Sequence, residues 1–153
     1  MMNIYAVLLS FSIAMNQHWA VLNFLDDQEK TPTVPYCDLI TSPEMNNNKI
    51  VRIKASYFSG RHTGFFYDLN CDGLDKRTHA VFSCNDEESC KKLRETIDGA
   101  LILGRAELTV VGRFKGPGAY AKPSPGSEGF RFELEFNKIE KAVGIPANAP
   151  WPE

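Results

Sequence analysis

The sequence predicts a mainly β domain, a five-stranded barrel with a short helical turn in front. Three observations predict it. Several segments alternate apolar and polar residues with the period of two of a half-buried strand, one segment carries a helical period, and that segment falls between the third and fourth strands.

Taken in order, Cys37 to Met45 reads as a short helical turn broken by Pro43, and Asn46, Asn47 and Asn48 follow as a turn signal. In Ile50 to Phe58, Val51, Ile53, Ala55 and Tyr57 alternate with Arg52, Lys54, Ser56 and Phe58, which makes strand one. Ser59 to Gly64 is a polar turn bracketed by glycine. Phe65 to Leu69 is strand two, ending at Asn70, Cys71, Asp72 and Gly73, and His79 to Cys84 is strand three. The period then changes. Asn85 is placed to cap a helix with Glu88 three residues on, Asp86 and Glu87 add acid to the first turn, and Cys90, Leu93, Ile97 and Leu101 share one face. Glu87 with Lys91 and Glu88 with Lys92 are favourable pairs four residues apart. Strand four, Ala106 to Phe114, points Leu108, Val110, Gly112 and Phe114 inward and Glu107, Thr109 and Arg113 outward. Strand five, Phe130 to Ile139, points Phe130, Phe132, Leu134 and Phe136 inward, with Arg131, Glu133 and Glu135 expected in solvent. Lys115 to Gly129 is a Gly/Pro-rich loop longer than an ordinary hairpin connection. The order β-β-β-α-β-β is that of an OB-type barrel, which offers strands two and three and the loops between strands one and two and strands four and five to ligands.

The 153 residues fit one globular domain at 36–142, and the net charge of -2 excludes a domain built mainly to grip phosphate backbones. Nucleic acid is not expected as a partner, since stacking platforms need exposed aromatics beside a basic groove. Ile4 to Ala14 is an uncharged apolar run of signal-peptide length with Ser12 and Ala14 as small residues two apart, so residues 1–14 read as a signal peptide cut after Ala14. The rival is an uncleaved membrane anchor, since no Lys or Arg precedes the run and Trp19 to Leu25 is a second apolar patch. Asn16, Gln17 and His18 would sit badly inside such a span. Residues 15–35 read as a linker and 143–153 as a Pro-rich tail. Cys37, Cys71, Cys84 and Cys90 form an even set, as small exported domains use for disulfides. Their intervals of 34, 13 and 6 match no common zinc module, so no metal is expected. Sequence alone leaves three pairings open.

An enzyme is not expected. His62, His79, Asp68, Asp72 and Asp75 are the candidate catalytic groups, but no nucleophile motif, zinc motif or phosphate loop accompanies them, and no cofactor is implied. A binding module reads better: Arg61 and His62 on the first loop with Lys115, Tyr120 and Lys122 on the second could form a cationic cluster with one aromatic. It would suit an anionic polymer, a glycan or an acidic peptide. The alternative is a structural or interaction protein of the cell envelope that docks a partner through a sheet edge or Phe58.

The segments Cys37 to Pro43, Lys49 to Lys54, Phe66 to Cys71 and Val110 to Phe114 resemble a group of short exported bacterial proteins with an OB-like domain and no assigned activity, with Ala55 standing where that group suggests glycine. The resemblance spans roughly residues 36 to 140. It implies an OB-like fold and a periplasmic or secreted location, and supplies no catalytic residue. In such a barrel the start of strand one lies beside the end of strand two, which favours Cys37 with Cys71, and the end of strand three lies beside the first helical turn, which favours Cys84 with Cys90. Closing the longer loop is expected to stabilise more, by about 3 to 4 kcal/mol on the chain-entropy account.

Overall fold

A computed structural model describes residues 31–61, 63–71, 73–117 and 129–151, and Pro32–Glu153 form one compact unit. The proposed signal peptide and most of the linker lie outside the described residues.

Helix α1, Tyr36–Thr41, is followed by a 3-10 turn at Pro43–Met45. Then come strands β1 (Ile50–Ser59), β2 (Gly64–Tyr67) and β3 (Thr78–Phe82), helix α2 (Glu87–Ala100), and strands β4 (Arg105–Lys115) and β5 (Phe132–Gly144). The strands close in the order β1-β2-β3-β5-β4, with β4 returning to β1. Every neighbouring pair is antiparallel except β3 with β5. This is an OB-type barrel. The alternation in β1 sets its core: Val51, Ile53, Ala55 and Tyr57 are buried, and Phe66, Leu108, Val110, Phe114, Leu134 and Phe136 meet them from the other strands.

Each end of the barrel is covered by a helix and stapled by a disulfide. At the end where β3 begins, α1 inserts Tyr36, Leu39 and Ile40 into the core. The Tyr36 hydroxyl lies 2.8 Å from the Phe66 carbonyl oxygen and 2.9 Å from both the Lys76 carbonyl and Thr78 Oγ1, so it can donate to a carbonyl while accepting from Thr78. The bridge Cys37–Cys71 fastens α1 to the 3-10 turn after β2. Where β3 finishes, Cys84–Cys90 ties the strand exit to the first turn of α2, whose Ile97 is buried. Both pairings are those expected, and they are at home in an oxidising compartment. Among the described residues no helix is long and apolar enough to cross a membrane.

Several sequence expectations shift by a few residues for identifiable reasons. The cap of α2 is Asp86 in place of Asn85. Its Oδ1 accepts from the Ser89 backbone N–H at 2.7 Å and its Oδ2 accepts from the Ser89 hydroxyl at 3.0 Å. A carboxylate caps as well as an amide and adds a favourable charge at the helix N-terminus. Those bonds from Ser89 hold the Asp86 carboxyl below its ordinary pKa. Strand β5 runs beyond Ile139 to Gly144, because β4 offers it partners as far as Ala106, and two register shifts bend the pair. The end of the supposed linker is engaged as well: Arg52 N–H donates to the Pro32 carbonyl and Val34 N–H to the Arg52 carbonyl, both at 2.9 Å.

The tail is clamped rather than loose. Arg105 is fully buried, and its guanidinium donates to the carbonyls of Pro146, Ala149 and Pro150 at 2.8–3.3 Å while lying 3.9 Å from the Trp151 ring centroid. Three carbonyl dipoles and an indole face offset the desolvation of its charge.

Gly112 sits at one of the β4–β5 register shifts, where a Cβ would meet the Glu135 carbonyl oxygen and lie 2.8 Å from Phe136 Cα. Backbone cannot yield as a flexible side chain does. Gly112→Ala is therefore expected to cost about 1–3 kcal/mol in chemical denaturation, whereas Gly99→Ala, with open space around it, is expected to be neutral or stabilising. On the outer surface Arg52 grips Glu140 with two hydrogen bonds, 2.8 and 3.2 Å, which hold the Glu140 carboxyl below its ordinary pKa. A carboxyl depressed by folding stabilises above its unfolded pKa and loses that contribution as pH falls through the folded value. Glu140→Gln should thus lower the melting temperature at neutral pH and flatten its decline below about pH 4; an unchanged acid limb would contradict this assignment.

Candidate binding cleft

Strand β2 leaves β3 early. Their pairing covers Phe65↔His79 and Phe66↔Thr78, while β3 continues to Phe82. The loop joining β1 to β2 is drawn tight by the Gly60 N–H donating to the Thr63 carbonyl at 2.8 Å, and it stands away from the end of β3. Between this loop, β3 and α2 opens a cleft of about 750 Å³.

Arg61 and Thr63 line one wall, Phe82 the strand side, Arg94 and Asp98 the helix wall, with Tyr57 alongside. Arg61 is exposed, and Arg94 holds its guanidinium 6.0 Å from the Phe82 ring centroid. Neither arginine has a carboxylate within ion-pair distance among the described residues. Thr63 Oγ1 is buried without a hydrogen-bond partner among them. Burial pushes the Tyr57 hydroxyl above its ordinary pKa, against the lowering effect of its hydrogen bond with Ser59, and the charge of Asp98 adds to the rise. Gly64 is required beside it, because a Cβ there would strike the Tyr57 hydroxyl and lie 2.8 Å from Cζ. The cleft thus offers two cations, one carboxylate, a neutral phenol and an unsatisfied hydroxyl. The sequence alone does not single out Arg94 and Asp98. The available signal was their spacing: Arg94 follows Cys90 by one helical turn and therefore sits on the flank of the apolar stripe.

Of the residues expected to bind, Arg61 lies on this cleft, and His62, Tyr120 and Lys122 lie outside the described residues. Lys115 is at the end of β4 and is engaged: its ammonium donates to Glu133 at 3.0 Å and to Glu135. Burial alone would lower its pKa, but the bonds to Glu135 and Glu133 outweigh that and hold it raised. Glu133, expected in solvent, is 1% exposed. The reason is lateral. Cross-strand pairing places Arg105, Phe58, Phe65, His79, Glu133 and Lys115 in one row across the outside of the barrel. Aromatic rings cover that row. Phe130 stacks on His79 with centroids 5.4 Å apart and touches Phe65, while Trp151 meets Phe58 edge-on. Phe130 lies just before β5, outside the inward-facing set in which sequence alternation placed it.

Among the enzyme candidates, His79 is buried with its Nδ1 3.6 Å from Glu133 Oε2. Asp68 accepts from the Asn70 backbone and side-chain nitrogens, both at 2.9 Å, as a turn residue does. Asp75 lies in a 3-10 turn, while His62 and Asp72 lie outside the described residues. Asp68 also lies close to Cys37 and Cys71, but both sulfurs are consumed by their bridge and offer no thiolate to a metal. Compared with family models, curated proteins and solved structures, the chain matches none.

Lys115→Met removes the ammonium that neutralises buried Glu133. It is expected to cost roughly 2–4 kcal/mol, less than a fully buried pair because the lysine is partly exposed. Adding Glu133→Gln to it should recover most of the loss. Denaturation of the single and double variants checks this, and additive losses would contradict it.

Proposed function

We propose that this protein is an exported OB-type binding module whose ligand is anionic, an acidic polymer or charged glycan, held in the cleft beside the loop 59–64. The observation that carries this reading is the cleft beside the first loop, with Arg61 and Arg94 facing it and, among the described residues, without carboxylate partners. Two guanidiniums on opposite walls of a groove attract and orient an anion better than scattered surface lysines, because each presents a fork of donors. In OB barrels this region, beside strands two and three, is where ligands commonly lie. Export is supported by the two disulfides and by the apolar run Ile4 to Ala14, which reads as a signal peptide.

A second reading, an interaction protein of the cell envelope, is favoured by one feature. Leu103 and Gly104 form a two-residue turn in which both have positive φ, 49° and 77°, and Leu103 is 64% exposed next to exposed Ile102. Asparagine is the usual residue there, so an exposed leucine costs both strain and solubility.

Dextran sulfate, titrated by calorimetry against neutral dextran, tests the first reading. Binding should weaken steeply with salt and fall about tenfold in Arg61→Glu or Arg94→Glu. It should persist in Lys91→Glu, a position paired with Glu95 and outside the cleft. Equal binding by all three variants would overturn the reading.

A further inference from the structure

Among the described residues, the end of β3 is an open strand edge lying in the cationic cleft. Ser83 N–H donates to the Phe136 carbonyl at 2.9 Å, so position 83 turns its backbone toward β5. Backbone groups of successive residues in a strand point to opposite edges. Positions 79 and 81 therefore share the β5 side, while 78, 80 and 82 turn toward the side of β2. Thr78 finds β2 there, paired with Phe66. Phe82 finds no strand partner there among the described residues, because the pairing has stopped at His79 and the chain of β2 has turned into the loop at Gly64. The N–H and C=O of Phe82 thus face the same cleft that Arg61, Thr63, Arg94 and Asp98 line.

The structure assigns this edge as the docking place for an extended acidic peptide segment of a partner protein, adding as a short strand beside β3 with its carboxylates on Arg61 and Arg94. This deepens the anionic-ligand reading above and rests on it. A strand edge is satisfied by another backbone, which supplies a donor and an acceptor at the spacing that Phe82 presents. A polysaccharide has hydroxyls but no such alternating ladder. Charge then selects among peptides. The guanidiniums stand on the two walls, one on the loop and one on α2, so a strand lying between them can turn an acidic side chain toward each. Asp98 opposes acid at its own end of the cleft and suits a backbone N–H or a basic residue there. The ring of Phe82 beneath Arg94 keeps that guanidinium close to the edge residue.

The test uses the full disulfide-bonded protein and a fluorescein-labelled peptide of alternating glutamate and valine. Anisotropy should report binding that weakens about three- to tenfold in Arg61→Ala or Arg94→Ala. Methylating alternate backbone nitrogens of the peptide, in both registers, keeps its charge but removes its strand donors, and at least one register should lose about tenfold or more. Hydrogen exchange of the Phe82 amide should slow on adding the peptide and stay unchanged on adding dextran sulfate. Unaltered Phe82 exchange, or binding by both methylated peptides as tight as that of the unmethylated one, would overturn the strand edge while leaving the anionic cleft standing. Failure of peptide and dextran sulfate alike would overturn both.

Discussion

The parallel pairing of β3 with β5 is the contact on which the rest of the molecule depends. It joins residues 78–82 to 132–136, far apart in the chain, and without it the strands form an open sheet with two exposed edges. A parallel pair cannot be made by a hairpin, and the chain between must cross over. Here α2 and β4 make that crossing. Strand β4 returns to β1 to close the circle, and α2 is left at the end of the barrel with Ile97 in the core. The same pairing shapes the cleft: β3 stays with β5 to its end, while β2 follows β1 into the loop at Gly64.

Charge is handled differently on the two sides of this barrel. On the outer row, buried groups are neutralised on the spot, Glu133 by Lys115 and Arg105 by the carbonyls of the C-terminal segment. Their cost of desolvation is high, and partners with near-ideal distances are what make them tolerable. Around the cleft the balance is looser, with Arg61 facing Arg94 and Asp98 across open space. Cations without local partners contribute little to folding.

The small core has its ends secured by covalent and polar anchors. Tyr36, the Cys37–Cys71 bridge and the turn after β2 act at one end, and Cys84–Cys90 with the Asp86 cap acts at the other. The clamp of Arg105 on residues 146–151 brings Trp151 against Phe58, the residue that sequence reasoning offered as a possible docking point. That ring is therefore partly covered by the protein's own tail.

Local pattern was enough for the strands, because alternation records which face meets the core; β1 and β4 bury the residues their periods predict. The barrel order was also legible, since a single helix between the third and fourth strands leaves few ways to close five strands, and both disulfides followed from that order. What sequence could not supply was anything set between strands distant in the chain. Glu133 occupies an outward position, and its burial comes from lateral neighbours such as His79 and Lys115, with Phe130 stacked on His79. Lys115 reads as a loop cation for the same reason, its carboxylate partners lying on β5. Arg94 reads as helix surface until α2 is placed against β3, and the open edge at Phe82 exists only because two strands part company. The period of a strand is written in neighbouring residues, whereas burial of a charge and the opening of a cleft depend on which strand lies next to it.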